Sequence, residues 1–377
     1  MVARRTILAA TAAALGVVTA GTAAATSVAE RSTRPRTRVA RRTLRDGRLR
    51  VEQTAFALSH LAVTSDGPVA QVRVKTRKGW SGWQTVDGCA GGRDGVDDLH
   101  SGLLVTTEAT GYEVRVAGAG TGEVTELDTG FSASTLAAAA VAASMPLANG
   151  TTCSVPYLSR AAWGGDESQR TWGEDGYYPV QTITVHHSGF GNDDPDPAAT
   201  IRGIYYNQAV TKGWGDIGYH LLIDEAGRVY EGRWSGSDTA PATRATLAAD
   251  GRPLLSTGAH VGGFNSGNLG ICLLGDFTLR QPTAAARRSL ETVLTSLTRL
   301  CRLDPLGTTT YVNQESGVTK TMKVIPGHRD WAATECPGND FYPEVADVRR
   351  NVAKALRLVQ RRTSTSTGTT RPLPPRR

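Results

Sequence analysis

Gln181-Thr-Ile-Thr-Val-His-His187 reads as a β-strand: Ile183 and Val185 face one side, and the strand ends in paired histidines followed by Ser188. Elements of alternating type surround it. Asp196-Pro197 caps and starts a helix with an apolar face of Ile201, Ile204, Tyr205 and Ala209, which Gly213 ends. Residues 217–223 form a strand that Glu225-Ala-Gly227 turns into Val229-Tyr230, and 269–274 form an apolar strand buried on both faces. Thr283 opens a helix that places Leu290, Val293, Leu294, Leu297, Leu300 and Cys301 on one side. A short strand at 323–325 follows. Tyr342-Pro343 then opens a last helix with Val345, Val348, Val352, Leu356 and Val359 inward. Strands mixed with flanking helices imply an α/β layer fold over residues 153–360.

Upstream, the pattern changes. Gln71-Val-Arg-Val-Lys75 and Tyr112-Glu-Val-Arg-Val116 alternate with period two, and Gly and Asp clusters punctuate them, so residues 51–130 read as a small all-β domain. Trp80 and Trp83 belong to it, either as core residues or as a platform for sugar rings. An Ala-rich linker at 131–152 joins the two parts. Residues 1–25 have a basic start, an apolar stretch and Ala23-Ala24-Ala25, which is a secretory signal peptide with a small-residue cleavage pattern. Arg4-Arg5 fits both general secretory and twin-arginine export. No later apolar run is long enough to span a membrane, so the expectation is a secreted monomer, extracellular or in the cell wall.

The 377-residue chain has a net charge of +7, but the first 50 residues carry eleven Arg against two acids, and the last 17 carry five Arg and no acid. Residues 51–360 are therefore net negative, which excludes nucleic acid as a partner of the folded part. Residues 26–50 and 361–377 read as disordered basic arms suited to anionic cell-wall polymers or simply solvated.

Three groups carry chemistry: His186-His187, Gly327-His328-Arg329-Asp330, and Cys336-Pro337-Gly338. Imidazole and thiolate are ligands that zinc prefers, and three of them with one open position define a catalytic site. Spacing alone leaves structural histidines and a disulfide half-cystine as alternatives.

Eight strings in order narrow this: Cys153-Ser-Val-Pro-Tyr-Leu-Ser-Arg-Ala-Ala-Trp163, Ile183-Thr-Val-His186-His187-Ser188, Gly213-Trp-Gly-Asp216-Ile-Gly-Tyr219-His220, Gly232-Arg233-Trp234, Gly258-Ala-His260, Asn268-Leu-Gly-Ile-Cys272, Pro326-Gly-His328-Arg-Asp330 and Thr334-Glu-Cys336-Pro-Gly338. Over residues 153–358 the chain resembles the peptidoglycan recognition protein family, the type 2 N-acetylmuramoyl-L-alanine amidases. The resemblance implies a mixed central β-sheet flanked by helices, with one Zn2+ ion held by His186, His328 and Cys336. It implies Tyr219 as a catalytic residue. Thr334 stands where some members carry a catalytic Lys, and its alternative is a loop-stabilising hydroxyl. Arg233 and His260 match groove positions near the peptide stem, Arg233 being suited to a carboxylate, with a surface arginine as the alternative. A Cys153–Cys301 disulfide is implied as well, leaving Cys272 and Cys89 unpaired. The implied activity is hydrolysis of the amide between the lactyl group of N-acetylmuramic acid and L-alanine in peptidoglycan. The alternative is a protein that binds muropeptides in the same groove without cleaving them. A serine hydrolase built on Ser188 lacks a nucleophile-elbow pattern.

Overall fold

The computed structural model describes residues 37–366, apart from 68–69, 87–90, 96–99, 119, 131–142, 147–151, 174–175 and 237–240. The signal peptide, Cys89 and most of the linker lie outside the described residues, as does the Cys153 side chain.

The N-terminal body is a β-sandwich. One antiparallel sheet has the order β1 (Arg38–Leu44), β9 (Gly122–Asp128), β3 (Leu58–Ser65), β7 (His100–Ala109). The other has the order β2 (Arg48–Val51), β8 (Gly111–Val116), β4 (Ala70–Thr76), β5 (Gly79–Trp80), with β6 (Gln84–Val86) also paired to β4. Leu44, Leu61, Val63, Val72, Tyr112, Val114 and Val124 fill the space between the sheets. The sandwich starts earlier than the sequence indicates. The segment read as the end of a disordered arm supplies β1 and β2, because its arginines pair across the sheet: Arg42 with Glu126 at 3.0 Å, Arg41 with Glu123 and Arg38 with Asp128. Trp80 and Trp83 are not core residues. Both are half-buried on the outer face of the second sheet, stacked against Arg73, with Arg50 and Lys75 on Trp80 and Arg115 on Trp83.

In the expected linker, β10 (Ala143–Pro146) pairs with β11 (Thr152–Tyr157), the first strand of the C-terminal body. That body is the mixed α/β layer that the alternating elements indicate. Its central sheet runs β13 (Thr182–His187), β18 (Asn268–Leu273), β14 (Leu221–Ile223), β15 (Val229–Glu231), parallel except for β15. Residues 324–327 add to the free edge of β13: Ile183 N–H donates to Val324 O and Val185 N–H to Pro326 O. A three-stranded sheet of β12 (Tyr177–Pro179), β17 (Pro253–Ser256) and β16 (Thr243–Leu247) and a hairpin of β19 (Thr308–Val312) and β20 (Thr319–Lys323) flank it.

Helix α1 (Pro197–Tyr206) starts at Asp196, whose side chain accepts from Ala199 N–H, and covers one face of the central sheet. Helices α2 (Ala284–Leu300) and α3 (Val345–Ser366) cover the other, burying Leu290, Val293, Leu294, Leu297, Val345, Val348 and Val352. Helix α3 extends into the segment read as a disordered tail. The two bodies share apolar surface: Ala62, Leu103 and Leu127 of the sandwich pack with Ile201, Ile204 and Tyr205 of α1. His60 of β3 seals this contact, bonded to Ser59 and Thr129 through Nδ1 and to Thr200 through Nε2.

Candidate metal centre

Strand pleating decides which histidine points where. On β13, Ile183 and Val185 join the core under α2 and α3, so Thr184 and His186 face the α1 side. Opposite them, Pro326-Gly327 follows the strand-like segment and His328 opens a 3-10 turn. Asp330 fixes this turn by accepting from Gly327 N–H at 2.8 Å and from the Tyr342 hydroxyl. Trp331 ties it to β13 through Nε1–H to Thr184 Oγ1 at 2.8 Å. Cys336 reaches back from the following loop, and Thr334 Oγ1 accepts the Cys336 N–H at 3.2 Å.

The outcome is a buried cluster of His186, His328 and Cys336, one ligand atom from each lying within 4.8 Å of the others. Cys336 Sγ stands 3.7 Å from His186 Nδ1. Zn–S and Zn–N bonds of about 2.3 and 2.0–2.1 Å at a tetrahedral angle place S and N roughly 3.6 Å apart, so the separation suits one zinc ion. A second observation supports the donor set. His260 Nε2 lies 2.9 Å from Asn268 O, a group that only accepts, so Nε2 carries the proton. His260 Nδ1 is then the acceptor for His186 Nε2–H at 2.9 Å, and His186 presents the Nδ1 lone pair to Cys336. His187 turns away: its Nδ1 accepts from Phe277 N–H, while its backbone N–H approaches Cys336 Sγ at 3.4 Å. Residues and geometry therefore fit a single zinc ion held by His186, His328 and Cys336.

The Tyr219 ring lies edge-on to His186 with centroids 5.3 Å apart, so the structure brings Tyr219 to the metal ligands. Thr334 holds the Cys336 loop, the alternative weighed from sequence. His260 is 1% exposed and both its ring nitrogens are engaged, one of them with the ligand His186. Burial, then the neighbouring His186, holds it well below the usual imidazole pKa, so it stays neutral. Arg233 is not a surface arginine. It is 1% exposed, 3.3 Å from Asp216 Oδ2 and stacked 3.6 Å from the Trp172 ring centroid. Burial brings its pKa down to about 10, which leaves it charged at neutral pH. Ser188 Oγ donates to Phe190 O and accepts from Gly275 N–H, a turn-forming role rather than that of a nucleophile. Cys301 is buried, and burial pushes its thiol pKa up to about 12; its expected partner Cys153 has its side chain outside the described residues.

Sequence reasoning missed Asp216 and Arg160. Asp216 is fully buried, accepts Arg160 Nη1 at 3.0 Å and pairs with Arg233, while Arg160 also reaches Gly232 O at 2.6 Å. An Asp inside the otherwise apolar Trp214-to-Tyr219 run was the available signal.

The family described as N-acetylmuramoyl-L-alanine amidase matches residues 176–339, which contain His186, Tyr219, Arg233, His260, His328, Thr334 and Cys336. Residues 176–339 are thus similar to the peptidoglycan recognition and type 2 amidase family. The chain is 28% identical to human N-acetylmuramoyl-L-alanine amidase over 169 residues, 44% of this chain and 23% of that protein. It is 27% identical to peptidoglycan-recognition protein SC2 of Drosophila melanogaster over 195 residues, 51% of this chain and 85% of that one. Among solved structures, Drosophila peptidoglycan recognition protein SD shares 26% identity over 51% of this chain and 93% of its own, with a TM-score of 0.38. The amidase-family domain thus accounts for about half the chain, and the N-terminal sandwich lies outside the matched residues. No helix among the described residues is long and apolar enough to cross a membrane.

Proposed function

We propose that the chain is a secreted zinc-dependent amidase that hydrolyses the bond between the lactyl group of N-acetylmuramic acid and the L-alanine of the stem peptide. The observation that carries this reading is the complete ligand set, His186, His328 and Cys336, with Tyr219 beside it. When bound, zinc supplies Lewis acidity toward the scissile carbonyl and acidifies water near neutral pH. The chain's own residues do the rest. The Asn268 carbonyl, acting through His260, keeps His186 in the tautomer that leaves Nδ1 free to ligate. The His187 N–H stabilises negative charge on the Cys336 sulfur. The phenol of Tyr219 donates a hydrogen bond to the oxyanion as the carbonyl carbon becomes tetrahedral. The buried Asp216 fixes Arg233 and, through Ile217 N–H, the strand approach that carries Tyr219.

Mass spectrometry of purified cell wall incubated with the protein, with and without chelator, tests the reading. The expected result is free stem peptide and intact glycan, abolished by chelation and restored by zinc. Wall fragments that bind but are never cleaved would instead establish a peptidoglycan-binding protein.

A further inference from the structure

Residues 91–95 of the N-terminal sandwich cross onto the amidase-family domain beside the metal centre. The Asp94 carboxylate accepts from Gly263 N–H at 2.8 Å, Asn265 N–H at 3.4 Å, the Asn265 side-chain amide and Asn313 Nδ2 at 2.9 Å. Gly92 O takes the other Asn265 amide hydrogen at 2.8 Å. Arg93 stacks 4.0 Å from the centroid of Trp172, the indole that also covers Arg233, and donates to Trp214 O. Gly91 lies on the backbone of His260, where an added Cβ would stand 3.0 Å from His260 O. This strap therefore touches the residue that holds His186.

Two features show what the contact does. All the donors to Asp94 are neutral amides, and among the described residues no Lys or Arg pairs with it. Such a notch accepts any carboxylate of suitable reach. One cavity that Tyr219 lines, not bordered by His186, His328 or Cys336, is also small. The cavity bounded by Tyr219, Ser188 and Trp214 on one side and Gly91, Ser101 and Leu103 of the sandwich on the other measures about 40 Å³. Ligand pockets span roughly 300–1,000 Å³, so this one holds a few waters and no sugar with its peptide.

We propose that residues 91–95 are an internal ligand of the groove: Asp94 fills a carboxylate-binding notch made by Gly263, Asn265 and Asn313, and a carboxylate-bearing wall peptide must displace it to reach the metal centre. This rests on the amidase-family reading of the groove. The sandwich is then a cover for the site, and opening it precedes binding.

The test uses the full chain loaded with zinc and muropeptides released from cell wall by a muramidase. Asp94→Ala removes the carboxylate. Gly91→Val independently pushes the strap off His260. Both are expected to bind muropeptide about tenfold more tightly than wild type and to lower KM alike, the order expected when a charged acceptor leaves its donors. A Gly92→Cys, Gly262→Cys pair locks the strap. Neither glycine has a positive φ, and the added Gly262 Cβ would lie 4.0 Å from Gly92 Cα, within disulfide reach. The oxidised pair is expected to lose binding and to regain it with dithiothreitol. Equal or weaker binding by the two loosened variants, or wild-type binding by the locked one, overturns the proposal alone. Muropeptide binding by none of the proteins, wild type included, overturns the groove reading and the proposal with it.

Discussion

His260 Nδ1 lies 2.9 Å from His186 Nε2, and the far nitrogen of His260 lies 2.9 Å from Asn268 O. A backbone carbonyl thereby dictates the tautomer of a metal ligand two residues away in the chain of bonds. Asn268 opens β18 opposite Thr182, while His186 lies near the end of the parallel neighbour β13 opposite Cys272, so His260 bridges the distance along the sheet between them.

Replacing His260 with Ala frees His186 to rotate and to change tautomer. Zinc affinity is expected to fall 10–100-fold, the usual cost of removing such a partner. Competition against a chromophoric chelator measures it. An unchanged affinity would mean that packing alone orients His186.

Tyr219→Phe and Cys336→Ala separate chemistry from metal binding. The Tyr219 variant keeps its zinc and loses about 10²–10³-fold in kcat, as expected for one oxyanion donor. The Cys336 variant loses both zinc and hydrolysis. Metal analysis beside a stem-peptide release assay reads the two effects, and full activity in the Cys336 variant would remove the zinc mechanism.

Asp216 is wholly buried between Arg160 and Arg233, so Asp216→Ala leaves two buried guanidinium groups without their carboxylate. Breaking such a pair costs about 3–5 kcal/mol. Urea unfolding is expected to show a lower midpoint with an unchanged slope. A loss under about 1 kcal/mol would mean that Glu167 and solvent compensate.

The contact between the two bodies is sensitive to acid. Burial, helped by Arg202, lowers the His60 pKa to about 3 against about 6.5 in the unfolded chain. The unfolded chain therefore takes up a proton first as pH falls. Stability is complete above pH 6.5 and drops by up to about 1.4 kcal/mol per pH unit between 6.5 and about 3. Thermal unfolding from pH 7 to 4.5 is expected to show this slope and His60→Gln to reduce it. An equal slope in the variant would assign the effect to other groups.

Much of the C-terminal body is legible in the chain itself. Period-two and helical apolar spacing, with Asp196 and Thr283 as caps, mark β13, α1 and α2 because local geometry dictates those patterns. The ligand types are legible because their chemistry is carried by the side chain, whereas Tyr219 entered only as what the family resemblance implies. Other roles depend on neighbours distant in sequence. The arginines of residues 38–42 look like a solvated arm until Glu123, Glu126 and Asp128 come alongside them. The burial of His260 and Arg233, and their partners His186 and Asp216, are likewise not readable from the chain alone.

The residues alone determined an α/β layer fold and a donor set of two imidazoles and one thiol, because periodicity and side-chain chemistry are local properties. Only the tertiary structure decided that His186 Nδ1 stands 3.7 Å from Cys336 Sγ, that His260 supports a ligand and that Asp94 is bonded to Gly263, Asn265 and Asn313. Each of those outcomes depends on burial and on groups brought together from more than 70 residues apart, which no local pattern encodes.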